Sequence, residues 1–155
     1  MEFRRAGLAT RADVPELVRL REVMIESVRG SSDQTWQASC ANVLATAIAD
    51  GSMAAVVVDR PDGVGLAACG VGMLARRLPS PGCVDGRFGY IQSMCTDERN
   101  RRQGLARLVF DRLLRWFADS GVGRVDLHTS AAGESLYRSF GFEDPVEPEL
   151  RWSAD

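Results

Sequence analysis

The stretch Arg101-Arg102-Gln103-Gly104-Leu105-Ala106-Arg107 sets three arginines around a glycine, just ahead of a strongly amphipathic run. A helix that starts here points unpaired backbone N–H groups beyond its first turn, and anions bind at such places. Gly104 lets a ligand come close to the main chain. Each charge-assisted hydrogen bond to a phosphate oxygen is worth roughly 1.5–3 kcal/mol, so a few of them would hold a diphosphate firmly. On these grounds alone, a phosphate cradle and a solvated arginine face fit the stretch equally well.

Few other side chains declare a chemistry. Cys40, Cys69, Cys83 and Cys95 are scattered without a C-x-x-C pair, and His128 is the only histidine, so no metal site is expected. The cysteines read as reduced, mostly buried thiols. His128 alternates with Val125 and Leu127, which places it opposite that apolar pair on a strand. A packed or hydrogen-bonded histidine fits there better than a catalytic one. The formal charge of −2 argues against a nucleic-acid partner, because such partners demand a large positive excess. All 19 basic residues are arginine, foremost a mark of composition, though arginine also favours forked contacts to phosphate. Neither a signal-peptide core nor a run long enough to span a membrane is present, so a cytoplasmic protein with no membrane partner is expected.

These residues must be positioned by elements, and 155 residues with 45% hydrophobic content suit one domain over 1–155. A short strand is expected near Phe3 to Gly7. Thr10 and Asp13 form a capping pattern for a helix to about Val28, with Val14, Leu17, Val18, Met24, Ile25 and Val28 on its apolar face and Glu16, Arg19, Glu22 and Glu26 mostly elsewhere. A second apolar stripe starts at Trp36 and ends near Gly51. Met53 to Val58 and Val64 to Leu74 read as a hairpin, the second strand weakened by glycine. The stretch from Arg76 to Arg87 is a loop long enough to suspect function. Phe88 to Thr96 is a strand, Gly104 to Ser120 a helix and Arg124 to Thr129 a strand. A short helix follows, capped by Gly141, and Glu149 to Ser153 closes the chain as a strand. The order β-α-α-β-β-β-α-β-α-β predicts an α/β (α+β) fold with a central mixed, mostly antiparallel sheet flanked by helices.

A second motif, Leu136-Tyr137-Arg138-Ser139-Phe140-Gly141-Phe142, shifts the balance. Arg101 to Ala106 together with this stretch resembles the GNAT superfamily of N-acetyltransferases, whose signature is R/Q-x-x-G-x-G/A at a strand-to-helix junction and then L-Y-x-x-x-G-F on a short helix. The resemblance spans the whole chain. Ser130 and Gly133 depart from it, standing where many members carry asparagine and alanine, and Glu98 replaces a frequent proline.

The resemblance implies acetyl-CoA as cosubstrate and an N-acetyltransferase acting on a small-molecule amine or a peptide amino terminus. By position, the backbone of Arg102, Gln103, Gly104, Leu105, Ala106 and Arg107 would cradle the pyrophosphate, with Arg99, Arg101 and Arg107 as outer contacts. Met94, Cys95 and Thr96 would pair with the pantetheine arm like an added strand. Tyr137 matches the tyrosine that reaches the sulfur, and a thiol near pKa 8.5 and a phenol near 10 are roughly matched for proton transfer. Gln92 and Ser93 sit where the central strand is expected to splay and offer N–H groups to the acetyl carbonyl. For the acceptor, Glu26 and Trp36 are candidates, in a pocket framed by Arg29 to Trp36, the loop 79–87 and Glu143 to Leu150. Asp33, Glu143, Asp144, Glu147 and Glu149 would give that pocket a negative tendency suited to a cationic amine. No general base declares itself, which leaves open a module of the same fold that binds acyl-CoA or an amine without chemistry. A homodimer is common among members of the superfamily.

Overall fold

A computed structural model describes residues 6–30 and 33–154. The expected first strand falls partly on residues outside these, and Gly7–Leu8 is what is seen of it (β1). The Thr10 N–H donates to the Asp13 carboxylate at 2.8 Å, closing a short 3-10 turn that leads into α1, Val14–Arg29. Gly30, at φ 82°, ends that helix. Helix α2 is Gln37–Asp50, stopped by Gly51 in the left-handed region. The strands β2 (Met53–Asp59), β3 (Leu66–Arg76) and β4 (Arg87–Thr96) follow as a meander. Helix α3 is Leu105–Asp119, β5 is Val125–Leu127 and α4 is Glu134–Ser139.

The sheet runs β1-β2-β3-β4-β5, antiparallel throughout except for the parallel pair β4 and β5. Alternation along the strands sorts side chains to two faces. Ala55, Val57, Cys69 and Val71 meet Leu17, Leu20 and Leu44 of α1 and α2. Val56, Val58, Ala68 and Ile91 meet Leu105, Val109, Phe110, Leu113 and Phe117 of α3. The glycines of β3 and β4 have a packing reason. A Cβ at Gly89 would stand 2.4 Å from the Phe117 ring, and one at Gly70 would stand 2.7 Å from Val109 Cγ1. Their absence lets α3 settle close to the sheet.

Two departures from regular pairing matter for function. Val71 pairs Ser93 while Gly72 pairs Ile91, so Gln92 is one extra residue in β4, a bulge. The bulge reverses the parity of the strand: Ile91 enters the α3 face, whereas Ser93 turns to α1 and touches the Met24 sulfur at 3.6 Å. In addition, β5 pairs β4 only from Gly89 to Ile91, so among the described residues the far edge of β4 has no strand partner from Gln92 to Thr96. The strand splays where Gln92 and Ser93 were expected to mark it.

The closing strand expected over Glu149 to Ser153 does not form, and residues 143–154 contain no regular element. Val146, Leu150 and Trp152 are exposed rather than alternating against a core. A strand needs an edge to pair with. β5 is three residues long, and Pro145 and Pro148 remove two donors from the approach to it. Near the sheet, Glu149 Oε1 lies 3.4 Å from His128 Nε2.

Candidate functional site: a free amide run and an apolar cleft

The end of β4 is locked by charge. Asp97, 5% exposed, accepts from Arg60 Nη2 at 2.6 Å, Arg19 Nη1 at 2.8 Å and the Arg99 N–H at 3.1 Å. Burial by itself would raise this carboxyl, but hydrogen bonds from Arg19, the Arg99 amide and Arg60 overcome it and hold the pKa at about 2. Arg19 also binds Glu16 (Nε to Oε2, 2.5 Å) and the Leu66 carbonyl at 3.1 Å, while Glu16 accepts the Leu66 N–H at 2.8 Å. Sequence periodicity placed Glu16 and Arg19 off the apolar face. Instead they pin α1 to the sheet beneath the loop that follows β4. A carboxylate with several charged partners far apart in sequence leaves no periodic signal, so this network could not be read in advance.

Beyond Asp97 the main chain makes a short 3-10 turn, Glu98–Asn100, and then leaves regular geometry. Arg102, at φ 61°, is the only non-glycine with positive φ among the described residues, and Gly104 follows at φ 76°. Helix α3 begins at Leu105, whose side chain is core. Among the described residues, no protein atom accepts the N–H groups of Arg102, Gln103, Gly104, Leu105, Ala106 or Arg107. The arginine side chains are less free. Arg107 donates to Ser139 Oγ at 3.0 Å and lies 5.0 Å over the Phe140 ring, and Arg101 Nε approaches the Thr96 carbonyl at 3.5 Å. Arg107 thus clasps α3 to α4, and the amides are anion ligands left without a protein acceptor.

Tyr137 stands on α4 with its ring 5.0 Å from Phe110 and 6.3 Å from Phe142. Burial pushes its phenol up, and among the described residues the hydroxyl has no hydrogen-bond partner. Gly133 makes room for the ring, since a Cβ there would lie 3.0 Å from Tyr137 Cε2. Met94 packs into the same core as Tyr137, while Cys95 turns to the α1 face, so Met94, Cys95 and Thr96 present their backbone along the unpaired edge of β4. His128 is exposed and hydrogen-bonded to the Tyr90 hydroxyl through Nδ1, so it is a hydrogen-bonded rather than a packed histidine.

On the opposite face, α1, α2 and the sheet enclose a cleft of about 800 Å³. Trp36, Gln92 and Ser93 line it. Glu26 does not: it is exposed, while its neighbours Ile25, Val28 and Arg29 reach the cleft. Helical spacing decides this, because the cleft-facing positions of α1 are those of its apolar stripe. The expected frame is also corrected. No residue of the loop 79–87 or of 143–150 lines the cleft, and of the acidic residues named for it only Asp33 does. The loop folds back on itself through the Arg77 N–H to Gly86 carbonyl bond and the Ser80–Cys83 bridge, and Asp144 is paired with Arg138. The positive residues Arg21 and Arg29 line the cleft as well. Composition near a site misjudged its charge because the chain does not pass where the residue types suggested.

Unpaired amides at a helix start can bind an anion, and an open strand edge can pair with an extended ligand. The Acetyltransferase (GNAT) family profile matches residues 21–142. Comparison with curated protein sequences finds no significant match. Among solved structures, a predicted acetyltransferase with acetyl-CoA from Clostridium acetobutylicum superposes with a TM-score of 0.87 at 20% identity, covering 97% of this chain and 96% of that one. A GCN5-related N-acetyltransferase from Ralstonia eutropha JMP134 gives 0.83 at 22% identity, covering 97% and 99%. The enzyme AAC(6')-Iy, in complex with the bisubstrate analogue CoA-S-monomethyl-acetylneamine, gives 0.75 at 13% identity, covering 100% and 99%.

Proposed function

Because the chain belongs to the Acetyltransferase (GNAT) family, we propose that it moves the acetyl group of acetyl-CoA directly to the primary amine of a small molecule or of a peptide amino terminus. The observation that carries this reading is the run of amides from Arg102 to Arg107 without a protein acceptor, at the end of a strand whose edge is open. The solved relatives with acetyl-CoA and with a CoA bisubstrate analogue support the same carrier.

In this reading the amides of Arg102 to Arg107 hold the diphosphate, and the backbone of Met94, Cys95 and Thr96 pairs with the pantetheine arm. The bulge at Gln92 turns backbone N–H groups toward the acetyl carbonyl, where developing negative charge is best stabilised. The amine enters from the α1–α2 cleft, beside Ser93. Its nitrogen attacks the carbonyl carbon; the C–N bond forms, the C–S bond breaks, and the electron pair leaves with sulfur. Tyr137 protonates the departing thiolate. A phenol raised by burial stays protonated at neutral pH, as a proton donor must. The amine proton leaves to solvent through the cleft mouth, since the titrating groups on the cleft, Asp33 and Cys40, are shifted down and up, away from neutrality.

The test is thiol release measured with an amine panel. Release that depends on both acetyl-CoA and an amine supports transfer, and coenzyme A bound away from Gly104 in a crystal removes the basis of the reading. The alternative is a binding module of the same fold, motivated by the lack of a base poised near neutrality. Tight acetyl-CoA binding with no product from any amine would favour it.

A further inference from the structure

The α1–α2 cleft has a composition that its proposed place in acetyl transfer does not require. Its walls are apolar: Ile25, Val28, Trp36, Val43, Met53 and Val71 all contribute. About 800 Å³ lies in the range of small-molecule sites. Into this apolar space α1 brings two arginines, Arg21 and Arg29. They lie two turns apart on the helix, roughly 12 Å at 1.5 Å per residue, on either side of Met24. Met24 is where α1 meets the bulged strand, its sulfur 3.6 Å from Ser93 Oγ.

The two guanidinium groups differ from the ion-paired arginines of this protein, and among the described residues they alone of the unpaired ones line the apolar cleft. Arg19, Arg60, Arg77, Arg115, Arg124 and Arg138 each have a carboxylate within salt-bridge distance. Arg21 and Arg29 have neither an ion pair nor a side-chain hydrogen bond among the described residues. The single carboxylate on the cleft, Asp33, is occupied by the Thr35 N–H at 2.9 Å and by the Thr35 hydroxyl. Unpaired arginines against apolar walls are an anion site in search of an anion. The forked guanidinium suits a carboxylate in particular.

We propose that the acceptor is an amine that also carries an apolar body and a carboxylate, of the kind found in a free apolar amino acid, with Arg21 and Arg29 taking the carboxylate while the amine faces the β4 bulge at Gln92 and Ser93. This rests on the transferase reading for the direction of the amine, but the recognition of the carboxylate stands on the cleft itself. It reverses the expectation that acidic residues would draw a plain cationic amine. A polyamine would meet two unpaired positive charges and one occupied carboxylate.

The experiment uses matched pairs that differ only in the carboxylate: tryptophan with tryptamine, phenylalanine with 2-phenylethylamine, leucine with isopentylamine. Spermidine and phosphoethanolamine serve as the polycation and phosphate arms. With acetyl-CoA saturating, kcat/KM by thiol release should favour a carboxylated member over its partner by roughly tenfold or more. In Arg21→Gln/Arg29→Gln the ratio should fall to within about threefold, loss of a bidentate contact being the cause. Preference for the decarboxylated amines, for spermidine or for phosphoethanolamine overturns the inference, as does a ratio that survives in the double variant. A second readout needs no turnover: calorimetry of N-acetyltryptophan against N-acetyltryptamine in both proteins. Arginine-dependent binding of N-acetyltryptophan with no turnover of any amine leaves the inference standing and rejects catalysis. Turnover with the opposite preference does the reverse. Neither binding nor turnover by any carboxylated member rejects the inference outright.

Discussion

The ring of Tyr137 on α4 lies 5.0 Å from the ring of Phe110, a fully buried residue of α3. The phenol is therefore held by the same helix whose first turn exposes the free amides. Arg107 adds a second tie between these helices through Ser139. A carrier gripped at the start of α3 thus has its distance to Tyr137 set by packing rather than by a loop.

Tyr137→Phe removes the proposed proton donor but leaves the ring. The hydroxyl has no hydrogen-bond partner among the described residues, so thermal stability should change by less than about 0.5 kcal/mol. Turnover should fall by about 10²–10⁴-fold, with acetyl-CoA affinity by calorimetry kept. Undiminished turnover would take Tyr137 out of the reaction.

Gly104→Ala tests the amide run. A Cβ there meets no protein atom within 4 Å, so the cost to folding is conformational, from φ 76°, and about 1 kcal/mol. The methyl would stand where the backbone must meet a diphosphate. The KM for acetyl-CoA should rise roughly tenfold or more, since each lost phosphate contact is a charge-assisted one. An unchanged KM would place the diphosphate elsewhere.

Asp97 makes an acid-stability prediction. Its carboxyl is held at about 2 in the folded protein against 3.8 ordinarily. A depressed folded pKa contributes stability that is present above about pH 4 and lost as the pH falls through about 2, an effect of about 1–2 kcal/mol once solvent screening is allowed for. Denaturation followed from pH 5 to pH 2 should show this loss in the native protein and a smaller one in Asp97→Asn. That variant should also be less stable at pH 7 by about 2–3 kcal/mol, because Arg19 and Arg60 lose their shared partner. Equal acid sensitivity in both proteins would show that the network does not carry it.

The rate of transfer should follow the acceptor rather than the enzyme as pH rises. With no cleft group poised near neutrality, kcat/KM should climb with unit slope and level off near the pKa of whichever free amine is used. It should decline again only above about 10, as the raised Tyr137 phenol ionises and can no longer donate. An ascending limb near pH 6–7 that is the same for every amine would reveal an enzymic base and reject the solvent route for the proton.

Local pattern alone was enough for α3, for the three central strands and for both motifs. Apolar spacing from Leu105 to Phe117, strand runs bounded by turns, and Gly104 ahead of a helix are properties of near neighbours in the chain, and near neighbours are what a sequence displays. The same locality explains the strand that failed. Glu149 to Ser153 has strand-like residues, but the edge strand β5 is only three residues long, and the length of an edge belongs to the sheet. Only tertiary packing could bring Asp97 to Arg19 and Arg60, or set Arg21 and Arg29 beside the apolar stripe of α1 in the cleft. Charge in the acceptor region was likewise decided by where the chain runs: acidic residues that look adjacent in sequence fall away from the cleft, and two arginines of α1 enter it. Pairing across a sheet and burial between helices depend on contacts distant in the chain, and those become definite only once the backbone has closed around them.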